Sequence, residues 1–227
     1  MRRIALLALA AVLVCTAAGA QKRAAARKKA VARTTAVAAT PKLSNAEWGK
    51  KWFTEERYEK ALPYLLKAVD EGDLDSKVRL AYMIFTAQVP EYSIDQQQAM
   101  GMLDECIDSG SVYALERKGF CIIAMSPDTK ADKLKGIDLL KQASDKGSGD
   151  ASAELFNAYR DGLKSYASGE YYIEPNDSTA TAYALMAAQQ GNQEGMAYVG
   201  LYTYMGTHGL ERDTVQGVKY LEEALGM

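Results

Sequence analysis

The sequence predicts an all-α protein, an α-solenoid of about five antiparallel helix-turn-helix repeats, and its spacing of glycines and small residues is the reason. Glycines stand at Gly72, Gly110, Gly147 and Gly191, and eleven and four residues before them come Ala61 and Ala68, Ala99 and Cys106, Gly136 and Ala143, Ala180 and Ala187. Bulky residues fall between these small ones at Tyr64, Met102, Leu139 and Tyr183, so each set occupies one face of a helix. A fifth copy follows as Gly217, Tyr220, Leu221 and Ala224. From Ala61 the leading small residues are spaced by 38, 37, 44 and 37 positions. Small side chains let a neighbouring helix approach closely, and each glycine supplies the left-handed stop.

Taken in order, the chain divides at residues 20 and 43. Arg2 and Arg3, the apolar run Ile4 to Cys15 and the small residues Ala18-Gly19-Ala20 have the layout of a secretory signal peptide cleaved after Ala20. The run holds 12 residues, against the ~20 that a membrane span needs. Val14 before Cys15 is not the small residue that lipid attachment requires. The expected address is therefore periplasmic or secreted. Residues 21–43 read as a basic, Ala-rich linker: up to Lys42 they hold eight Ala, seven bases and no acid. A weak contact between this linker and an anionic envelope surface is one expectation.

Residues 44–227 are the repeat domain. Ser44 and Glu47 have capping-box spacing, and Trp48-Gly49 with Trp52 fit bulky-small-bulky sites on a short first helix. Pro63 falls inside the first long helix, which is expected to start late or to kink there. Asp95 with Gln98 and Asp213 with Gln216 are further capping pairs, with Asp132 and Asn176 expected at the same site. A second helical pattern follows two of the glycines, Ala151-Leu155-Phe156-Tyr159 and Gly195-Val199-Gly200-Thr203, while Pro90, Pro127 and Pro175 fall between helices. Repeats of this kind contact only their neighbours.

Composition narrows the function. From Glu47 onward there are 18 bases and 29 acids, and an acidic surface argues against nucleic acid as the partner. His208, the only histidine, stands in a glycine-bounded turn and reads as a solvated loop residue. Asp70, Glu71, Asp73 and Asp75 lack the distal Glu of a calcium loop. Cys106 and Cys121 lie on either side of the Gly110 turn at levels ~10 Å apart, so they are expected to remain thiols. Hydrolase and nucleotide motifs are absent from the sequence. No catalytic residue, metal ligand or cofactor is assigned.

The stretch Ala187-Ala188-Gln189-Gln190-Gly191-Asn192, then Val199-Gly200, Gly206-Thr207-His208-Gly209-Leu210, Asp213 and Gly217-Val218-Lys219-Tyr220-Leu221, resembles the Sel-one-like repeat, a relative of the tetratricopeptide repeat. Lys118 stands where that pattern usually has Leu. The resemblance implies an adaptor that binds other proteins, often in signalling or at the bacterial envelope. It also implies that the first helix of each pair lines a concave groove for a protein or peptide. Carried onto this chain, the groove positions are Tyr82 and Phe85, then Glu116, Phe120 and Ile123, then Asn157 and Arg160, then Leu201 and Tyr204. The competing reading is a carboxylate-based hydrolase or small-ligand binder in the same groove. Val218, Tyr220, Leu221, Ala224 and Leu225 on the last helix have no helix after them, so part of that face is expected to stay exposed and to support a homodimer or the docking of a partner.

Overall fold

The computed structural model describes residues 43–90, 95–125 and 128–226. The signal peptide, the linker up to Lys42 and Pro127 lie outside them. Ten helices follow in order among the described residues: α1 (Asn45–Thr54), α2 (Tyr58–Asp70), α3 (Leu74–Phe85), α4 (Gln96–Asp108), α5 (Val112–Met125), α6 (Lys130–Asp145), α7 (Gly149–Asp161), α8 (Asp177–Gln189), α9 (Gln193–Met205) and α10 (Thr214–Ala224). They form five hairpins, α1–α2 through α9–α10, stacked as a solenoid in which helices pack on near neighbours in the chain.

The turns between hairpins repeat atom for atom. Gly72, Gly110, Gly147 and Gly191 have φ of 84–95°, the left-handed conformation that a side chain resists. The next residue closes the turn: Asp73, Ser111, Ser148 and Asn192 donate their N–H groups to the carbonyls of Ala68, Cys106, Ala143 and Ala187 at 2.9–3.0 Å. Those same four residues then cap the following helix, accepting through their side chains from the N–H groups of Ser76, Ala114, Ala151 and Gly195. Alanine at Ser111 should therefore cost about 1 kcal/mol in denaturant unfolding. Ser148→Ala should cost more, because that hydroxyl also donates to Glu116 Oε2 at 2.8 Å. Equal midpoints for the two variants would contradict this account.

Inside the stack, the small residues four before each turn glycine are fully buried, and Leu65, Leu103, Leu140 and Leu221 occupy the equivalent deep position on their helices. Two hairpins cross at paired glycines. A Cβ on Gly119 would stand 2.9 Å from the Gly136 carbonyl, and one on Gly200 would stand 3.0 Å from that of Gly217. Polar groups tie adjacent turns together as well: Gln190 donates to the Ser144 carbonyl and accepts from Ser152 Oγ, which also bonds Ser144 Oγ. Each member of this set is satisfied by another.

The long spacing of 44 residues has a structural cause. A two-stranded antiparallel hairpin, β1 (Leu163–Lys164) and β2 (Tyr171–Ile173), is inserted between α7 and α8. Asp128 holds its tip, accepting from Ser165 Oγ and from the N–H groups of Tyr166 and Ala167.

Five expectations need correction or detail. Asp132 is not an N-cap: α6 begins a turn earlier, capped by Thr129, and Asp132 is its third residue. Pro63 neither delays α2 nor ends it; the helix starts at Tyr58 and runs through. Lys118 is buried and ion-paired to Asp104 of α4, which is how a lysine occupies an apolar site. Cys106 and Cys121 are free thiols, both buried, as expected, and burial pushes Cys121 up to about 12. On α10, Leu221 and Ala224 are buried rather than exposed, whereas Val215 is open to solvent and Val218, Tyr220 and Leu225 are half-buried. A change at Leu221 would thus unfold the end of the stack before it could report on a dimer.

Candidate concave binding groove

The first helices of the hairpins, α1, α3, α5, α7 and α9, line a groove of about 730 Å³. It takes residues three, seven and ten places after the turn glycines: Asp75, Arg79 and Tyr82 from α3, then Tyr113, Arg117 and Phe120 from α5. These positions lie on one stripe of a helix. From α1 come Lys50, Phe53 and Thr54, and from α7 and α9 come Asp150, Glu154 and Glu194. The floor is aromatic near α3 and α5 and acidic toward α7 and α9.

Rings and guanidinium groups interleave on that floor. Phe53 meets Tyr82 edge-on at 5.8 Å, and Tyr82 lies 6.1 Å from Phe120. Arg117 covers both Tyr82 and Tyr113, with its Cζ 5.6 and 5.1 Å from the ring centres. Arg79 covers Tyr113 at 4.9 Å, so that one phenol ring contacts two cations. Arg117 also pairs with Glu116 at 2.8 Å, and its Nε is buried without a hydrogen-bond partner. Burial pushes the Glu116 carboxyl above its usual range, and Arg117 and the Ser148 hydroxyl oppose that shift. Burial also works against the charge of Arg117, but Tyr113, Glu116, Tyr82 and Asp150 together outweigh it and its pKa is raised.

Of the positions expected in the groove, Tyr82, Glu116 and Phe120 line it. Phe85 does not; it is 5% exposed and belongs to the core under α2 and α4. Ile123 and Tyr204 stand at the hairpin crossings, where they meet Gly136 and Gly217. Arg160 is bound elsewhere: it donates to Asp161 and to the Tyr198 hydroxyl and stacks on Phe156 and Tyr198. Asn157 and Leu201 are half-buried and lie outside the lining. In the row thirteen after each glycine, Ile123 and Tyr204 thus face the partner helix, Phe85 the core and Arg160 the next hairpin, and the groove lies a turn nearer the helix starts. Sequence reasoning passed over Arg79 and Arg117. Their signal was available, since Arg79-x-x-Tyr82 recurs as Arg117-x-x-Phe120 one repeat later.

Other candidates carry less. His208 is exposed with positive φ, and its ring stacks on Tyr202 at 3.8 Å. Among the described residues no three His, Cys, Asp or Glu side chains converge as a metal site would require, and no helix is long and apolar enough to cross a membrane. Asp73, in the acidic run, caps α3, and Glu71 accepts from Asn45.

The family model described as Sel1 repeat matches residues 124–148, 158–192 and 193–225. A solved Sel1 repeat protein from Oxalobacter formigenes superposes with a TM-score of 0.50 at 17% identity, covering 78% of this chain and 68% of that one. The c5321 protein, a protective antigen of uropathogenic Escherichia coli with an SLR fold, gives 0.52 at 22% identity, covering 74% of this chain and 33% of that one. No curated protein matches. At these identities the solved structures establish the fold, and the chain spans about a third of the c5321 protein.

Proposed function

We propose that this chain of Sel1 repeats is a binding scaffold of the bacterial envelope that holds a peptide or protein partner in its concave groove. Sel1 repeat proteins are generally non-enzymatic scaffolds for protein–protein interaction. The observation that carries the groove reading is the arginine-aromatic floor of Arg79, Tyr82, Tyr113, Arg117 and Phe120, contributed by two successive repeats at one face. Tyr and Arg are the side chains that most often carry binding energy at protein interfaces. A groove built from recurring positions suits a ligand that is itself extended along the stack.

Export supports the envelope setting: the N-terminal pattern of Arg2, Arg3 and the apolar run would deliver the form Gln21–Met227 across the membrane. The exposed Val215 edge of α10 is where a second copy would meet the chain. Dilution of a dimer by Val215→Glu, read by light scattering, tests that contact; an unchanged mass would remove it.

The test of the groove is capture of envelope proteins by the Gln21–Met227 form, by Arg117→Gln with Tyr82→Ser, and by the exposed-face control Lys135→Gln. The groove variant should lose at least about tenfold of the captured partner, equivalent to ~1.4 kcal/mol, while the control retains it. Equal capture by all three would sink the proposal.

A further inference from the structure

We infer that the chain's own basic segment, residues 21–42, occupies the acidic half of the groove in the same molecule. This rests on the groove being a binding surface and adds its first occupant. Six acids and three bases line the groove, and two of the bases are already engaged, Arg79 with Asp75 and Arg117 with Glu116. The lining residues of α7 and α9 are Asp150, Ala153, Glu154, Asn192 and Glu194, acidic without a Lys or Arg among them. Residues 21–42 are the complement: seven bases, no acid, and Ala or Val stems between them.

Position favours the encounter. The segment ends two residues before Ser44, the cap of α1, at the edge where the first helices of all five hairpins begin. Asp150 and Glu194 are each the second residue of their helices, so they lie along that same edge. Five first helices packed ~10 Å apart span roughly 40 Å. An extended segment of 22 residues reaches about 70 Å, so no repeat is out of range. Tethering makes the encounter intramolecular, with an effective concentration near millimolar. Opposite charge on the two surfaces adds steering that salt screens. A partner that enters the groove must displace the segment, which therefore sets the threshold for binding.

Zero-length carbodiimide coupling tests this, since it joins a lysine amine only to a carboxylate in direct contact. The Gln21–Met227 form is treated at low micromolar concentration in about 20 mM and about 500 mM NaCl, and the linked peptides are identified by mass spectrometry. The expected links join Lys22, Lys28 or Lys29 to Asp150, Glu154 or Glu194, and they disappear at high salt. Mixing light and isotopically heavy chains should give links within one chain only. In a second arm, trypsin should cleave after Arg23 to Arg33 roughly tenfold faster in Asp150→Asn/Glu154→Gln/Glu194→Gln than in the unaltered chain at low salt, and equally fast at high salt. Links scattered over acids outside the groove, links only between chains, or equal cleavage at low salt would each overturn the inference. Partner capture by the Tyr82 and Arg117 variants is read separately, so losing the basic segment from the groove leaves the scaffold reading standing. A gain in capture on replacing Lys28, Lys29 and Arg33 by Gln would support the displacement.

Discussion

Phe156→Ala is expected to remove about 3–5 kcal/mol from the C-terminal repeats. Phe156 is 1% exposed and sits where α7, α8 and α9 meet, packed with Ala180, Ala184, Ala188, Val199 and Tyr202. Its ring lies 4.5 Å from Tyr198 and under the Arg160 guanidinium at 4.9 Å. The surrounding alanines have no side-chain length with which to refill the space, so the cavity would persist. Arg160 would also lose one of the two rings it covers. Because neighbours alone hold a solenoid together, the damage should stay local. Hydrogen exchange is the measurement: α7 to α10 should lose protection while α1 to α4 keep theirs. Loss spread evenly over all ten helices would contradict the nearest-neighbour account, and unchanged protection would contradict the burial.

Gly217→Ala and Gly101→Ala should have opposite signs. Both glycines are helical, and replacing either gains up to ~1 kcal/mol of helix propensity. At Gly101 nothing lies within 4 Å of the added Cβ, so that gain is expected in full. At Gly217 the Cβ would stand 2.7 Å from Tyr204 N and 2.8 Å from the Gly200 carbonyl, all backbone atoms that cannot rotate away. The hairpin must open, at about 1–3 kcal/mol or more, so the clash wins. Calorimetry should place the two melting temperatures on either side of the parent. The same logic applies where Ala143 and Ala187 become Leu, with a cost of about 1–3 kcal/mol each. Lys141 is a poor control for them because it is half-buried. Lys135 is exposed and serves better.

How much of this was readable follows from what each residue type can do. Turn glycines are legible because only glycine adopts that backbone freely, and small residues at helix crossings because backbones come within contact there. The groove was legible by half. Tyr82 and Phe120 fell into it because the ten-residue offset faces it on α3 and α5, whereas the same offset on α7 and α9, at Asn157 and Leu201, lies outside it. Phe85 and Tyr204 did not, because a thirteen-residue offset rotates away from the groove toward the core and the crossing with the partner helix, and Arg160 is drawn aside by Asp161 and Tyr198. The stripe also slants from the end of α1 to the starts of α7 and α9, and a fixed offset cannot express a slant. Asp132 misled for a similar reason: Asp is favoured both at the cap and in the first turn, and only the backbone decides which. The β-hairpin left its trace as surplus length, without a sequence period of its own.

The turn described between hairpins bears on descent as well as on folding. A Cβ built on Gly72, Gly110, Gly147 or Gly191 would touch nothing within 4 Å, while the residue after each glycine completes both flanking helices by itself. The backbone of the joint is therefore the same at all four junctions, and only side-chain ties such as Ser148 to Glu116 and Asn192 to Asp150 depend on the neighbouring unit. A genetic duplication or deletion whose breakpoints fall in phase at these glycines rejoins one such joint to another unchanged. What must then be matched is the helix faces on either side, and those are dominated by interchangeable Ala and Leu. Repeat number in this lineage can consequently drift by whole units, with the groove lengthened or shortened by one rung at each event.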